Sequence, residues 1–147
     1  MALLRQLPLQ GRQRLLELGQ GRLLSCHVGL RDLAEAAVAA LTIDRHVDKT
    51  YDLSGPEALH TSEVAEQIGA AIGRKIQYQP IPVAAMEASL REAGMEPWFA
   101  AGLAELYGWI RDSGLGSEVT DAADQLLGRK ATLFRQFAAD ERSAWLD

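Results

Sequence analysis

Few side chains in this sequence have the chemistry and the setting to act on a substrate, and His27 is the first of them. It lies in a short apolar run, Arg22 to Val28, and an imidazole changes charge near neutral pH, so His27 is the candidate general acid or base. A structural histidine with satisfied ring nitrogens is the competing and weightier reading. Cys26 precedes it, but successive strand residues point to opposite faces, so the two do not make a nucleophile–base pair. Asp32 opens a helical stretch, where a carboxylate suits the positive helix end better than catalysis. A second group is aromatic. Trp98, Phe99, Tyr107 and Trp109 fall within twelve residues, with Met86 and Met95 just upstream. They could wall a pocket for an apolar small molecule, their polar tips orienting it. Ordinary core packing is the competing reading here too. Tyr107 and Trp109 point to different faces of any helix that carries them.

Spacing excludes several chemistries. Gly19-Gln20-Gly21 begins like a dinucleotide loop, but Leu24 stands where the third glycine belongs, and the run precedes a strand instead of following one. No tyrosine is followed four residues later by lysine: Tyr51 meets Gly55, Tyr78 meets Pro82 and Tyr107 meets Arg111. His27, His46 and His60 are scattered, without the close His or Cys pairs that hold zinc. Neither a Gly-x-Ser-x-Gly elbow nor a phosphate loop occurs. On these residues the chain holds no cofactor and no metal of its own.

The elements that must position these groups follow from periodicity and from Gly and Pro breaks. Leucines between Ala2 and Leu18, divided by Pro8 and Gly11, predict two short helical pieces. Their arginines read as a solvated helix face ahead of a basic docking arm. Arg22–Val28, Thr50–Ser54 and Lys75–Gln79 predict short strands. Arg31–Leu41 and Thr61–Ile72 predict amphipathic helices, the second with Val64, Ala65, Ile68, Ala71 and Ile72 in one stripe and Gly73 as its stop. Helices over Val83–Ala93, Pro97–Ser113, Asp121–Leu127 and Thr132–Leu146 complete the chain. The expected fold is α/β, with few short strands and a predominantly helical second half, as a single domain over residues 1–147.

Composition bounds the function. With 147 residues and 48% hydrophobic content, the chain can bury one core. Fifteen Lys and Arg against 20 Asp and Glu give a net charge of −5, which disfavours nucleic acid as partner. One cysteine rules out an internal disulfide and fits a reducing compartment. No apolar run reaches the ~20 residues that span a bilayer, and the N-terminus lacks a signal-peptide pattern. A cytoplasmic protein with no membrane partner is expected.

The middle of the sequence carries an ordered set of motifs: Val28-Gly29-Leu30-Arg31-Asp32-Leu33-Ala34, then Tyr51-Asp52-Leu53-Ser54-Gly55-Pro56-Glu57-Ala58-Leu59, then Ser62-Glu63-Val64-Ala65 and Ile72-Gly73-Arg74. Pro97-Trp98, Val119-Thr120-Asp121, Gly128-Arg129 and Phe134-Arg135-Gln136-Phe137 follow. Together they resemble the C-terminal half of NmrA-like proteins, an atypical branch of the short-chain dehydrogenase/reductase superfamily. The resemblance runs from about Leu3 to Trp145. Two positions depart from it. His60 stands where the family has a capping Ser or Thr, so Thr61 is expected to cap in its place and shorten the helix by one residue. Gly29 stands where the family commonly has Asp.

The resemblance implies a truncated Rossmann protein. Relatives are about twice this length, and their N-terminal half supplies the glycine-rich nucleotide loop. What remains resembles the substrate-binding half, whose helical region lines the substrate cleft, so Met86, Met95, Trp98, Phe99, Tyr107 and Trp109 become substrate-binding candidates. A half-fold of this kind should expose strand edges and apolar surface, which predicts a homodimer. Three functions remain open. The first is a cofactor-free cyclase or isomerase acting on an apolar small molecule. The second is a subunit or fragment of an NAD(P)H-dependent reductase, with a separate Rossmann-half partner. The third is a ligand-sensing or protein-binding regulator.

Overall fold

A computed structural model describes residues 24–146. The helical pieces expected over residues 2–18, the glycine break at 19–21 and the first two residues of the strand expected over 22–28 lie outside the described residues. Strand β1, Leu24–Cys26, pairs antiparallel with β2, Ala58–His60, placing Leu24 opposite His60 and Cys26 opposite Ala58. Helix α1, Leu30–Thr42, runs between them and is followed by a 3-10 turn at Asp44–His46. Then come α2, Thr61–Ile72, α3, Val83–Glu92, α4, Pro97–Ser113, α5, Ala122–Leu127, and α6, Phe134–Asp140. A 3-10 turn at Arg142–Trp145 closes the described chain, so the helix expected over Thr132–Leu146 is in fact broken. The α/β class with few strands and a helical second half is as expected.

Two expected strands are absent and one unexpected strand is present. Residues 50–54 join no ladder, and their hydrogen bonds run to His46 and Thr120 instead. His46 Nε2 accepts from Arg45 Nε at 3.1 Å, which leaves Nδ1 to donate to the Tyr51 hydroxyl at 2.6 Å. The Ser54 hydroxyl accepts from the Thr120 amide at 2.7 Å, and Thr120 Oγ1 donates to the Asp52 carbonyl at 2.6 Å. Residues 75–79 form no strand either. Meanwhile Ala58–His60, just past Gly55-Pro56, takes the place beside β1.

Three packing units hold the elements. Leu59 of β2, Val64 and Ile68 of α2, and Phe134 and Ala138 of α6 make one core. Met86 and Leu90 of α3 close on Ala100 and Ala104 of α4 in a second core, with Ile81, Val83, Met95, Leu103 and Tyr107 around it. Helix α1 packs on α5 and buries Asp32 and Ala36. The expected stripe of α2 is buried at Val64, Ala65, Ile68 and Ile72, and Gly73, at φ +73°, ends the helix in the left-handed conformation that glycine adopts without penalty. His60, not Thr61, is the N-cap residue, and the Glu63 carboxylate accepts from the His60 amide at 2.7 Å. Glu57 Oε1 accepts from the Phe134 amide at 2.9 Å, satisfying a donor at the start of α6.

Candidate functional site

His27 follows β1 directly, and its position is set from beneath by Gly55, which is buried and lies against the His27 backbone. The imidazole tilts over the Phe134 ring, centroids 5.4 Å apart, and its Nε2 is 2.9 Å from the Ser25 hydroxyl. His27 as a residue is exposed, while desolvation of its ring lowers the pKa from the ordinary 6.5, so the neutral form prevails at pH 7 and Nε2 can accept from Ser25. Sequence reasoning missed Ser25. Burial raises the pKa of the neighbouring Cys26 thiol, which keeps it protonated and a poor nucleophile. A depressed histidine pKa means that the unfolded chain binds the extra proton first. That stability is complete above the ordinary value and is lost as pH falls toward the native value. His27→Gln should therefore lose less stability than the parent between pH 7 and 5, as read by urea unfolding at each pH; parallel curves would refute the assignment.

The aromatic group divides between two faces of α4. Tyr107 packs with Met86 and Met95 in the α3–α4 core, and burial raises its phenol pKa. Trp98 and Trp109 lie outside, 76% and 54% exposed, with Phe99 at 37% and Leu106 beside them. Trp98 and Phe99 meet edge to face, centroids 5.5 Å apart. Eleven residues apart, the two tryptophans share one helix face. Gly102 lies between them, and open space surrounds the position its side chain would fill. The structure thus builds a notched aromatic ridge in place of one enclosed pocket containing all six residues. Met86, Met95 and Tyr107 support the ridge from within.

His27 and the ridge belong to different packing units, but the loop after α4 links them. Its Gly116 carbonyl accepts from the Cys26 amide at 2.7 Å. The Trp109 end of the ridge therefore turns back to the strand that leads into His27. An open hollow of about 590 Å³ lies elsewhere, between α2 and residues 73–78, and is lined by Glu66, Arg74 and Lys75. Among the described residues no cluster of His, Cys, Asp or Glu could hold a metal ion, and no helix is long and apolar enough to cross a membrane.

A dinucleotide does not fit the described residues. Among the described residues, the one helix that follows a strand and opens on glycine is α1, with Gly29 as its N-cap. Its first turn already holds the buried Asp32 carboxylate, with Oδ2 3.7 Å from the place of a Gly29 side chain. That carboxylate would repel a pyrophosphate at this end.

No family model matches the chain. NAD(P)H azoreductase of Xenophilus azovorans is 33% identical over 128 residues, covering 87% of this chain and 44% of the azoreductase. Agroclavine dehydrogenase of Claviceps fusiformis is 30% identical over 119 residues, covering 81% and 41%. Among solved structures, Citrobacter sp. triphenylmethane reductase complexed with NADP(H) aligns with a TM-score of 0.75 at 26% identity, covering 85% of this chain and 43% of the reductase. The chain spans less than half the length of the relatives it matches. These relatives are NAD(P)-dependent reductases and dehydrogenases, matched over their C-terminal portion. The comparisons favour the reductase reading over a cofactor-free cyclase or isomerase.

Proposed function

We propose that this chain is the acceptor-binding portion of an NAD(P)H-dependent reductase for conjugated aromatic compounds, with the nucleotide held by residues outside those described. The observation that carries this reading is the azoreductase match over 87% of the chain, joined to the aromatic ridge. Azo compounds and triphenylmethane dyes, the acceptors named for two relatives, are extended π systems. Trp98 and Trp109 offer indole faces to such a molecule, and the space at Gly102 admits its edge. Neutral His27, with Ser25 on Nε2, is the proposed group for moving a proton, its strand tied to the loop after α4 by the Cys26–Gly116 bond. Within the NmrA-like family this corresponds to the substrate half.

Titrating the chain with methyl red while following tryptophan fluorescence tests the proposal. Saturable quenching is expected, and Trp98→Ala and Trp109→Ala should each weaken binding about three- to tenfold. Because both side chains are more than half exposed, each variant should keep its stability within about 0.5 kcal/mol. Equal dye affinity in the parent and in the double variant would overturn the assignment of the ridge.

A further inference from the structure

Helix α4 carries three charged side chains, Glu105, Arg111 and Asp112. Arg111 and Asp112 pair with each other at 2.7 Å. Glu105 is exposed, and no described residue pairs with it. Trp98, Gly102, Glu105 and Trp109 recur at steps of four, three and four, so they form one stripe along the helix. By the 1.5 Å rise per residue, Glu105 stands about 6 Å along the axis from Trp109 and about 10 Å from Trp98. The carboxylate is thus set between the two indoles, next to the open space at Gly102. An apolar partner closing over the tryptophans would strand this charge away from water, which is costly for an ion without a counterpart. A neutral π system gains nothing from it, and an anionic one is repelled. An occupant that brings positive charge uses the whole stripe, because a cation is drawn to the indole faces as well as to the carboxylate.

We infer that Glu105 selects the acceptor by charge, and that the ridge takes aromatic compounds bearing a positive charge. This rests on the acceptor reading of the ridge and adds the group that chooses among acceptors. The chain's net −5 draws cations toward it at long range, whereas Glu105 discriminates at contact. Carboxylate and indoles are all open to water, so the discrimination is modest. An exposed ion pair and an exposed cation–π contact each change affinity about two- to fivefold. The effect has opposite signs for opposite ligand charges. The carboxylate that tightens a cationic acceptor weakens an anionic one, so its removal moves the two affinities in opposite directions. A loss of packing moves both in the same direction.

A matched pair of dyes tests this on the full chain at pH 8, with tryptophan fluorescence as the readout. One is methyl red, which carries a carboxylate. The other is the same azobenzene with a trimethylammonium group in place of that carboxylate. The cationic dye should bind about tenfold more tightly than methyl red. Glu105→Gln should weaken the cationic dye about threefold and tighten methyl red about twofold, so the preference falls about sixfold. Glu66→Gln makes the same change in net charge from an exposed position on α2, and it should leave the preference unchanged. Raising NaCl from about 20 to about 300 mM should shrink the parent's preference toward that of Glu105→Gln. A preference that survives in Glu105→Gln, or that falls equally in Glu66→Gln, would overturn the inference. The acceptor reading would then still stand if Trp98→Ala and Trp109→Ala weaken both dyes. Dye affinities indifferent to both tryptophan variants would overturn the acceptor reading itself, and this inference with it.

Discussion

Gly55→Ala is expected to lower the thermal midpoint by about 10 °C and to disturb the His27 site together with the fold. A Cβ at residue 55 would lie 2.0 Å from the His27 carbonyl oxygen and 2.5 Å from its carbon. Both are backbone atoms, so no side chain can swing aside to make room. The alternatives are to displace the end of β1 or to displace the segment leading into β2. Neither is free to move, because Leu24–Cys26 is in register with β2 and Ser54 is held by Thr120. Overpacking typically costs about 1–3 kcal/mol, and a clash with backbone belongs at the upper end. For a chain of this size each kcal/mol moves the midpoint by roughly 3–4 °C. Circular dichroism melting checks the outcome, and a midpoint within 2 °C of the parent would show that the approach relaxes. Proton NMR of the His27 ring should change in the same variant, because the Ser25 contact depends on the backbone that Gly55 supports.

The helices were legible where both ends were marked by residue type as well as by an apolar stripe. Pro97 opens α4 and Gly114 closes it at φ +70°, so its bounds coincide with those read from sequence. Thr61–Ile72 coincides as well. Of the three short strands expected, one forms, Leu24–Cys26 within Arg22–Val28, because three to five apolar residues become a strand only when a partner is available. Tyr51–Ser54 has strand-forming residues but bonds to His46 and Thr120, whereas Ala58–His60 carries no strand signature and pairs with β1. At the candidate site, His27 and the aromatic cluster stood out by residue type. Ser25 could have been found by the rule that dismissed Cys26, since residues two apart share a strand face. The outward turn of Trp98 and Trp109 depends on which face of α4 the α3 side chains cover, information that α4 alone does not contain. The partner of Asp32 was equally hidden, 97 residues away at Arg129.

That pair carries the second large effect: Asp32→Asn should cost about 2–3 kcal/mol at pH 7, and the cost should vanish in acid. Asp32 reads from sequence as a carboxylate that merely suits a helix N-terminus, but its side chain makes no cap bond. It is 2% exposed. Oδ2 accepts from the Thr132 amide at 2.7 Å, and Oδ1 accepts from Arg129 Nη2 at 2.9 Å. These bonds tie α1 to the segment between α5 and α6. Burial by itself would raise the carboxyl pKa. The Thr132 amide and the Arg129 guanidinium outweigh it and hold the pKa below the ordinary 3.8. In the asparagine variant one oxygen must become an amide that donates. Either Arg129 then faces another donor, or the buried Thr132 amide loses its acceptor, a loss of about 1–3 kcal/mol. Arg129 is 45% exposed and keeps Glu35, so the cost stays below that of breaking a fully buried ion pair. Because the native pKa lies below the unfolded one, the parent's advantage is complete above pH 3.8 and is lost as pH falls through the native value. Urea unfolding of parent and variant at pH 7 and at pH 2 measures this directly. A gap that stays the same at both would mean that Asp32 acts through its shape and not through its charge.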